Sequence, residues 1–231
     1  EIVRSDADFV TLSEVRNYHN TRFCDRIVEA LQKRGQTYYS FYTEDSGLLS
    51  RYPISDSSTV YPLNDDRGSI YRLVTKKGNQ EFAVYTAHLD YRNCAYYDAR
   101  GYDGNNWNKI EPVTNLDSIL VLNRASVRDD AIARFIKEAE KDKAAGRIVI
   151  LGGDFNEPSH LDWTEATKDM RDHYGLVVPW DVSVMLEKAG YKDSYREKYP
   201  DPVTHPGFTC PADCPDIALK KLVWSPEADD R

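Results

Sequence analysis

Hydrophobic and polar positions recur along this chain in periods that mark out its elements. "DADFVTLSEV" (residues 6–15) sets Phe9, Val10, Leu12 and Val15 in a strand pattern. After it, "TRFCDRIVEALQKRG" puts Phe23, Ile27, Ala30 and Leu31 on one helical face, with Gly35 closing the helix as a C-cap. "SGLLSRYPI" predicts a short strand halted by Pro53, and "SIYRLVT", the turn "KKGNQ" and "EFAVYTAHLDY" predict a hairpin. A polar and aromatic segment from residue 92 to 115 is expected as a long loop, a kind that in compact domains is usually functional or disordered. A helix then carries Ile132, Phe135, Ile136 and Ala139 and stops before Gly146. "RIVILGGDFN" is the next strand, and the amphipathic helix "VSVMLEKAGYKDSY" leads into the proline-rich "YPDPVTHPGFT". No repeat and no linker-like stretch divides the chain. Hairpins mixed with long helices predict one layered α+β or α/β domain over residues 1–231.

Composition narrows the classes. The 231 residues are 41% hydrophobic and 29% charged, as in an ordinary globular chain, and the apolar runs are too short to span a bilayer. A net charge of −8 repels polyanions, and Lys/Arg cluster only in doublets such as Lys76–Lys77 and Lys220–Lys221. Nucleic acid is therefore disfavoured as the natural substrate. The chain opens at Glu1 with no methionine and no leader pattern, so a processed or trimmed product is expected. Cys24 reads as a small buried hydrophobe. Cys210 and Cys214, in "CPADCP", read either as a small disulfide-closed loop or as a pair of free thiols. With the trimmed start, that loop leans toward a secreted or periplasmic location.

Three apolar strands end in acids, amides or a histidine: Glu14, then His88 with Asp90, then Asp154 with Asn156. A lone carboxylate is costly to bury, so strand-end acids are surface caps or members of a site. Oxygen ligands and a histidine without a thiolate suit a hard cation, Mg²⁺ or Mn²⁺. An amide and a histidine can donate to phosphoryl oxygens as charge builds there. Phosphoester hydrolysis fits better than acyl transfer, because there is no serine elbow, and a zincin is unsupported without H-E-x-x-H.

"ADFVTLSEV", "SGLLSRYPI", "YTAHLDY" and "LGGDFNEP", in that order, resemble the endonuclease/exonuclease/phosphatase superfamily, of the deoxyribonuclease I type and of an unassigned bacterial kind. The resemblance implies an α/β fold, a four-layered sandwich of two packed mixed β-sheets flanked by helices. It implies that Glu14 holds the metal, that His88 and Asn156 contact the scissile phosphate, and that Asp154 orients the water. Either Glu44 or Asp45 is implied to support His88, with Asp90 alongside. Leu12-Ser13-Glu14-Val15 departs from the family's usual L-Q-E-V at Ser13. The family's opening asparagine-bearing strand and its closing S-D-H strand find no match here. The 231 residues are accordingly expected to be an excerpt of a longer polypeptide, inactive by itself for want of the closing Asp–His pair.

For substrate recognition, Tyr91, Tyr96, Tyr97, Tyr102 and Trp107 are candidates for an aromatic wall. "NEPSHLDWT" adds His160 and Trp163, as substrate contacts or as loop anchors. The expected function is a divalent-metal-dependent phosphoesterase acting on a small or lipid-headgroup phosphomono- or diester. The alternatives are an endo- or exonuclease and a catalytically inactive binding module of the same fold.

Overall fold

A computed structural model describes residues 1–64 and 67–209. Cys210, Cys214 and Lys220–Lys221 lie outside the described residues. The described backbone groups into two compact units, Glu1–Asp90 with Asp130–Phe155, and Tyr91–Asp129 with the described residues from Asn156 on.

The first unit is built from two sheets. A three-stranded antiparallel sheet has the order β1 (Phe9–Leu12), β3 (Gly47–Ser50), β2 (Tyr39–Tyr42). A four-stranded sheet has the order β4 (Ile54–Tyr61), β5 (Gly68–Lys77), β6 (Gln80–Leu89), β7 (Ile148–Asp154). Its first three strands are antiparallel and β7 joins β6 in parallel, so this sheet is mixed. The period of two along β3 explains the layering. Leu49 turns toward α2 (Phe23–Gln32) with Val15, Cys24 and Leu31, whereas Leu48 turns inward to meet Leu73 and Val84 of the second sheet. The helix α1 (Ile2–Ser5) adds Ile2 to the α2 side. On the far face of the second sheet lies α5 (Arg128–Ala144), whose Phe135 packs edge-on against Tyr85 with ring centroids 4.9 Å apart. Helix, sheet, sheet, helix: the expected four layers are present in this unit.

A buried polar bond ties α5 to its sheet. Asp142 accepts from Arg72 Nε at 2.8 Å, Arg72 Nη2 at 2.5 Å and Arg147 Nη1 at 2.9 Å, and from the Tyr85 hydroxyl. The third Arg72 donor, Nη1, reaches Asp56 at 2.7 Å. Among the described residues, β7 pairs on one side only, and Ile148 and Ile150 are exposed beside its open edge.

The second unit is helical. It contains α3 (Ala95–Arg100), α4 (Leu116–Asn123), α6 (Asp181–Lys188) and α7 (Ser194–Lys198). Tyr96, Tyr97, Ala99, Ile119, Trp163 and Trp180 form its core. The span 92–115 is therefore not a plain loop: α3 and a bridge between Tyr102 and Lys109 order it, and Tyr96 and Tyr97 face inward rather than forming a wall. No helix among the described residues is long and apolar enough to cross a membrane.

Candidate functional site

The tips of β1, β6 and β7 bring their polar residues together in the first unit. Parallel pairing sets His88 opposite Asp154. That register requires Gly153, which holds φ +139; a Cβ there would meet the Ala87 carbonyl oxygen at 1.9 Å. Gly152 gives the same close approach to the Thr11 hydroxyl, 2.9 Å from an added Cβ. Ser13, at the tip of β1, links the two neighbouring strands: its hydroxyl donates to the Ala87 carbonyl at 3.2 Å and accepts the Asp154 N–H at 3.3 Å. Its place in the motif, where glutamine is usual, was the only sequence signal that it matters.

His88 sits between two acids. Nδ1 donates to Asp45, which is buried, while Nε2 lies 3.9 Å from Asp154 Oδ2. Glu44, one residue away, is exposed, so of the two acids it is Asp45 that meets His88. Burial is the largest influence on His88 and favours the neutral ring. The hydrogen bond and charge of Asp45, then the charges of Asp154 and Glu14, overcome it and raise the imidazole above its ordinary pKa. Asp154 itself is open, with 48% of its side chain exposed.

Glu14 lies on a tight loop in which Glu14 (φ 55) and Arg16 (φ 48) are both left-handed, an uncommon state for such residues. Backbone bonds hold that loop against the Asp45 turn: Val15 N–H to Asp45 O at 2.7 Å and Asn17 N–H to Glu44 O at 2.6 Å. The Glu14 carboxylate is exposed and paired with Arg16, a partner the sequence did not announce. Asp90 is enclosed beside Arg67, 3.3 Å away. No group of three or more His, Cys, Asp or Glu side chains among the described residues is arranged to hold a metal. Glu14 offers an exposed carboxylate oxygen, the kind of ligand that a hard cation keeping most of its waters takes, and it is ion-paired with Arg16.

The other candidates belong to the second unit. Asn156 is left-handed at φ 49, and its carbonyl accepts from the Cys94 thiol at 3.3 Å. Tyr91 and Trp107 are 41% and 39% exposed. Trp163 is 1% exposed, stacked on His173 and edge-on to Trp180, so its reading as a substrate contact is corrected to a packing role. His160 is pinned through Nδ1 to the Ser183 hydroxyl at 2.9 Å and through Nε2 to Glu187 at 3.1 Å, which makes it a loop anchor.

The Endonuclease/Exonuclease/phosphatase family model matches residues 1–216. An uncharacterized protein of Caenorhabditis elegans is 33% identical over 168 residues, which are 71% of this chain and 49% of that protein. The chain thus spans about half the length of that relative. Among solved structures, D. rerio TDP2 complexed with single strand DNA product aligns over 94% of this chain and 69% of its own, at 14% identity and TM-score 0.47. The human Nocturnin catalytic domain with bound sulfate aligns over 68% of this chain and 54% of its own, at 15% identity and TM-score 0.41. ANGEL2, a 2',3'-cyclic phosphatase in complex with adenosine-2',3'-vanadate, aligns over 84% and 51%, at 17% identity and TM-score 0.41. Likeness at that level carries no inference about chemistry.

Proposed function

The chain belongs to the endonuclease/exonuclease/phosphatase family, and from that premise we propose that it is a divalent-metal-dependent phosphoesterase acting on a small phosphomono- or diester. The observation that carries the reading is His88 held between Asp45 and Asp154, with Glu14 close by. Glu14 would hold Mg²⁺ or Mn²⁺, which when bound supplies positive charge against the phosphoryl oxygens. His88, fixed at Nδ1 by Asp45, turns Nε2 outward, where its raised pKa favours the charged ring that donates to a phosphoryl oxygen. Asp154, open to solvent and adjacent to that nitrogen, orients and polarises the attacking water. Asn156, two residues on, contributes its amide as a further donor to the developing charge.

A second reading, a phosphodiester carrying a nucleobase, is favoured by the exposed Tyr91 and Trp107, since every base offers a face on which such rings stack. The net charge of −8 keeps this second to a compact substrate.

The test is hydrolysis of p-nitrophenyl phosphate, bis(p-nitrophenyl) phosphate and a dinucleotide by the full polypeptide, with Mg²⁺ and again with EDTA. Metal-dependent release from any of them supports the reaction class, and the preferred compound assigns the substrate type. Asp154→Ala should lower kcat by at least about a hundredfold, as single active-site deletions do. A change below about threefold would remove Asp154 from the mechanism.

A further inference from the structure

Outside the acid–histidine group, an enclosed polar cluster surrounds Arg128, in the second unit at the first residue of α5. Its guanidinium is enclosed. Nη1 donates to the Arg92 carbonyl at 3.0 Å, and Nη2 to the Asn93 carbonyl at 3.0 Å and to Asn123 Oδ1 at 2.8 Å. Nε faces Glu157 Oε2 at 3.4 Å. Glu157 is equally enclosed and accepts from Asn123 Nδ2 at 2.7 Å and from the Val182 N–H at 2.6 Å. Burial pushes the Glu157 carboxyl up, and Arg128 with those two donors pulls it back. Desolvating such a pair costs several kcal/mol per ion, so as a source of stability it competes poorly with apolar packing. What it does provide is fixed geometry.

It fixes two turns. In the first, Asn93 is left-handed at φ 50; Arg128 holds the carbonyls of Arg92 and Asn93, and the Asn93 side chain reaches Ala125 O at 3.0 Å. The Asn93 N–H is taken by Asn105 at 2.9 Å, two residues before the exposed Trp107. In the second turn, Asn156 is left-handed and its neighbour Glu157 answers Arg128. Cys94 closes the ring by donating from its thiol to the Asn156 carbonyl. Asparagine tolerates the left-handed state better than other non-glycine residues, and contacts that fix the neighbouring carbonyls and side chains hold it there. Here one guanidinium holds the first turn by its carbonyls and meets the second through the Glu157 side chain.

We propose that Arg128, together with Glu157, is a positioning residue that sets the left-handed backbone of Asn156, and so the direction of its side-chain amide, in register with the turn leading to the aromatic segment. The proposal rests on the reading of Asn156 as a phosphoryl donor. Both members of the pair are sealed from ligand, so they act through Asn156 and not on the substrate.

Two readouts on the full polypeptide test it. Arg128→Lys keeps the charge but loses the planar fork. Amide exchange should rise at least about tenfold at both 92–94 and 156–157 while α6 and α7 stay protected. An unchanged rate at 156–157, or a rise spread over the whole unit, overturns the proposal. In turnover, Arg128→Lys should lower kcat with KM altered less than about threefold, and should cost less than about threefold more when Asn156→Ala is already present. Losses that multiply across the two variants overturn it. Should the wild type turn over no phosphoester, the functional reading fails and the exchange experiment alone decides the positioning role. Should Arg128→Lys not fold, Glu157→Gln carries the same two readouts with the same deciding outcomes.

Discussion

Replacing Asp142 with asparagine removes one charge from the buried bond between α5 and the four-stranded sheet, and its cost can be worked from the geometry. Asp142 accepts from Arg72 twice, from Arg147 and from Tyr85. Burial is the largest influence and opposes the charge, but these donors outweigh it and hold the carboxyl at about 2 against an ordinary 3.8. At 1.36 kcal/mol per pKa unit that is about 2.4 kcal/mol of stability at neutral pH. Breaking a buried pair outright costs about 3–5 kcal/mol, and because Arg72 keeps Asp56 and Arg147 keeps Glu81 the loss here falls at the lower end of that range. Asp142→Asn should therefore lose about 3 kcal/mol, read as a urea midpoint lower by about 1.5 M for a slope near 2 kcal/mol/M. The pKa is depressed in the folded state, so this stability is present above pH 3.8 and lost as pH falls through about 2. The gap between wild type and variant should then be about 1 kcal/mol narrower at pH 3 than at pH 7. A variant within about 0.5 kcal/mol of wild type at pH 7 refutes the reasoning. So does a gap that does not narrow with acid.

Three further outcomes are expected. Gly153→Ala should cost at least about 3 kcal/mol or abolish folding, because its Cβ would lie 1.9 Å from the Ala87 carbonyl oxygen; a urea midpoint matching wild type would contradict the close approach of β6 and β7. In the metal-free protein, Asp45→Asn should lower the His88 pKa by NMR titration, since burial then acts against a weaker set of anions. Stability drawn from the raised His88 pKa is present below its unfolded value and lost as pH rises through the folded one, so that pH dependence should shrink in the variant. Burial pushes the Cys24 thiol up to about 12, so it should resist a disulfide reagent at pH 8 until urea unfolds the chain; rapid native labelling of Cys24, read by mass spectrometry, would count against its enclosure.

Strong periodicity made part of this fold legible. The β5–β6 hairpin, α5 and β7 stand where alternation and helical spacing put them, and Cys24 is buried as its helix face implied. The strand β4 went unread because "ISDSSTVY" carries few apolar positions and pairs on one side only in the order of its sheet. The helix α3 was hidden because its inward face is made of alanines and tyrosines within a polar stretch. At the strand tips, the motif residues could be picked out one by one as candidates, but not which of two adjacent acids turns inward; the His88 contact separates Asp45 from Glu44. Arg128 was invisible for a plainer reason: apart from Asn123, its side-chain partners lie 29 to 36 residues away, and in one dimension it looks like any charge at a helix start.

The open side of β7 has a colloidal consequence. Ile148 and Ile150 stand 47% and 37% exposed along a strand edge that, among the described residues, has neither a partner nor a proline to guard it. Such an edge is a template for pairing with another copy. The net charge of −8 repels one copy from another, and that repulsion vanishes near the isoelectric point of about 5.2. Acidic buffers should therefore drive these 231 residues into strand-paired aggregates well before the fold itself gives way, and a lysine at position 150 should widen the usable pH range.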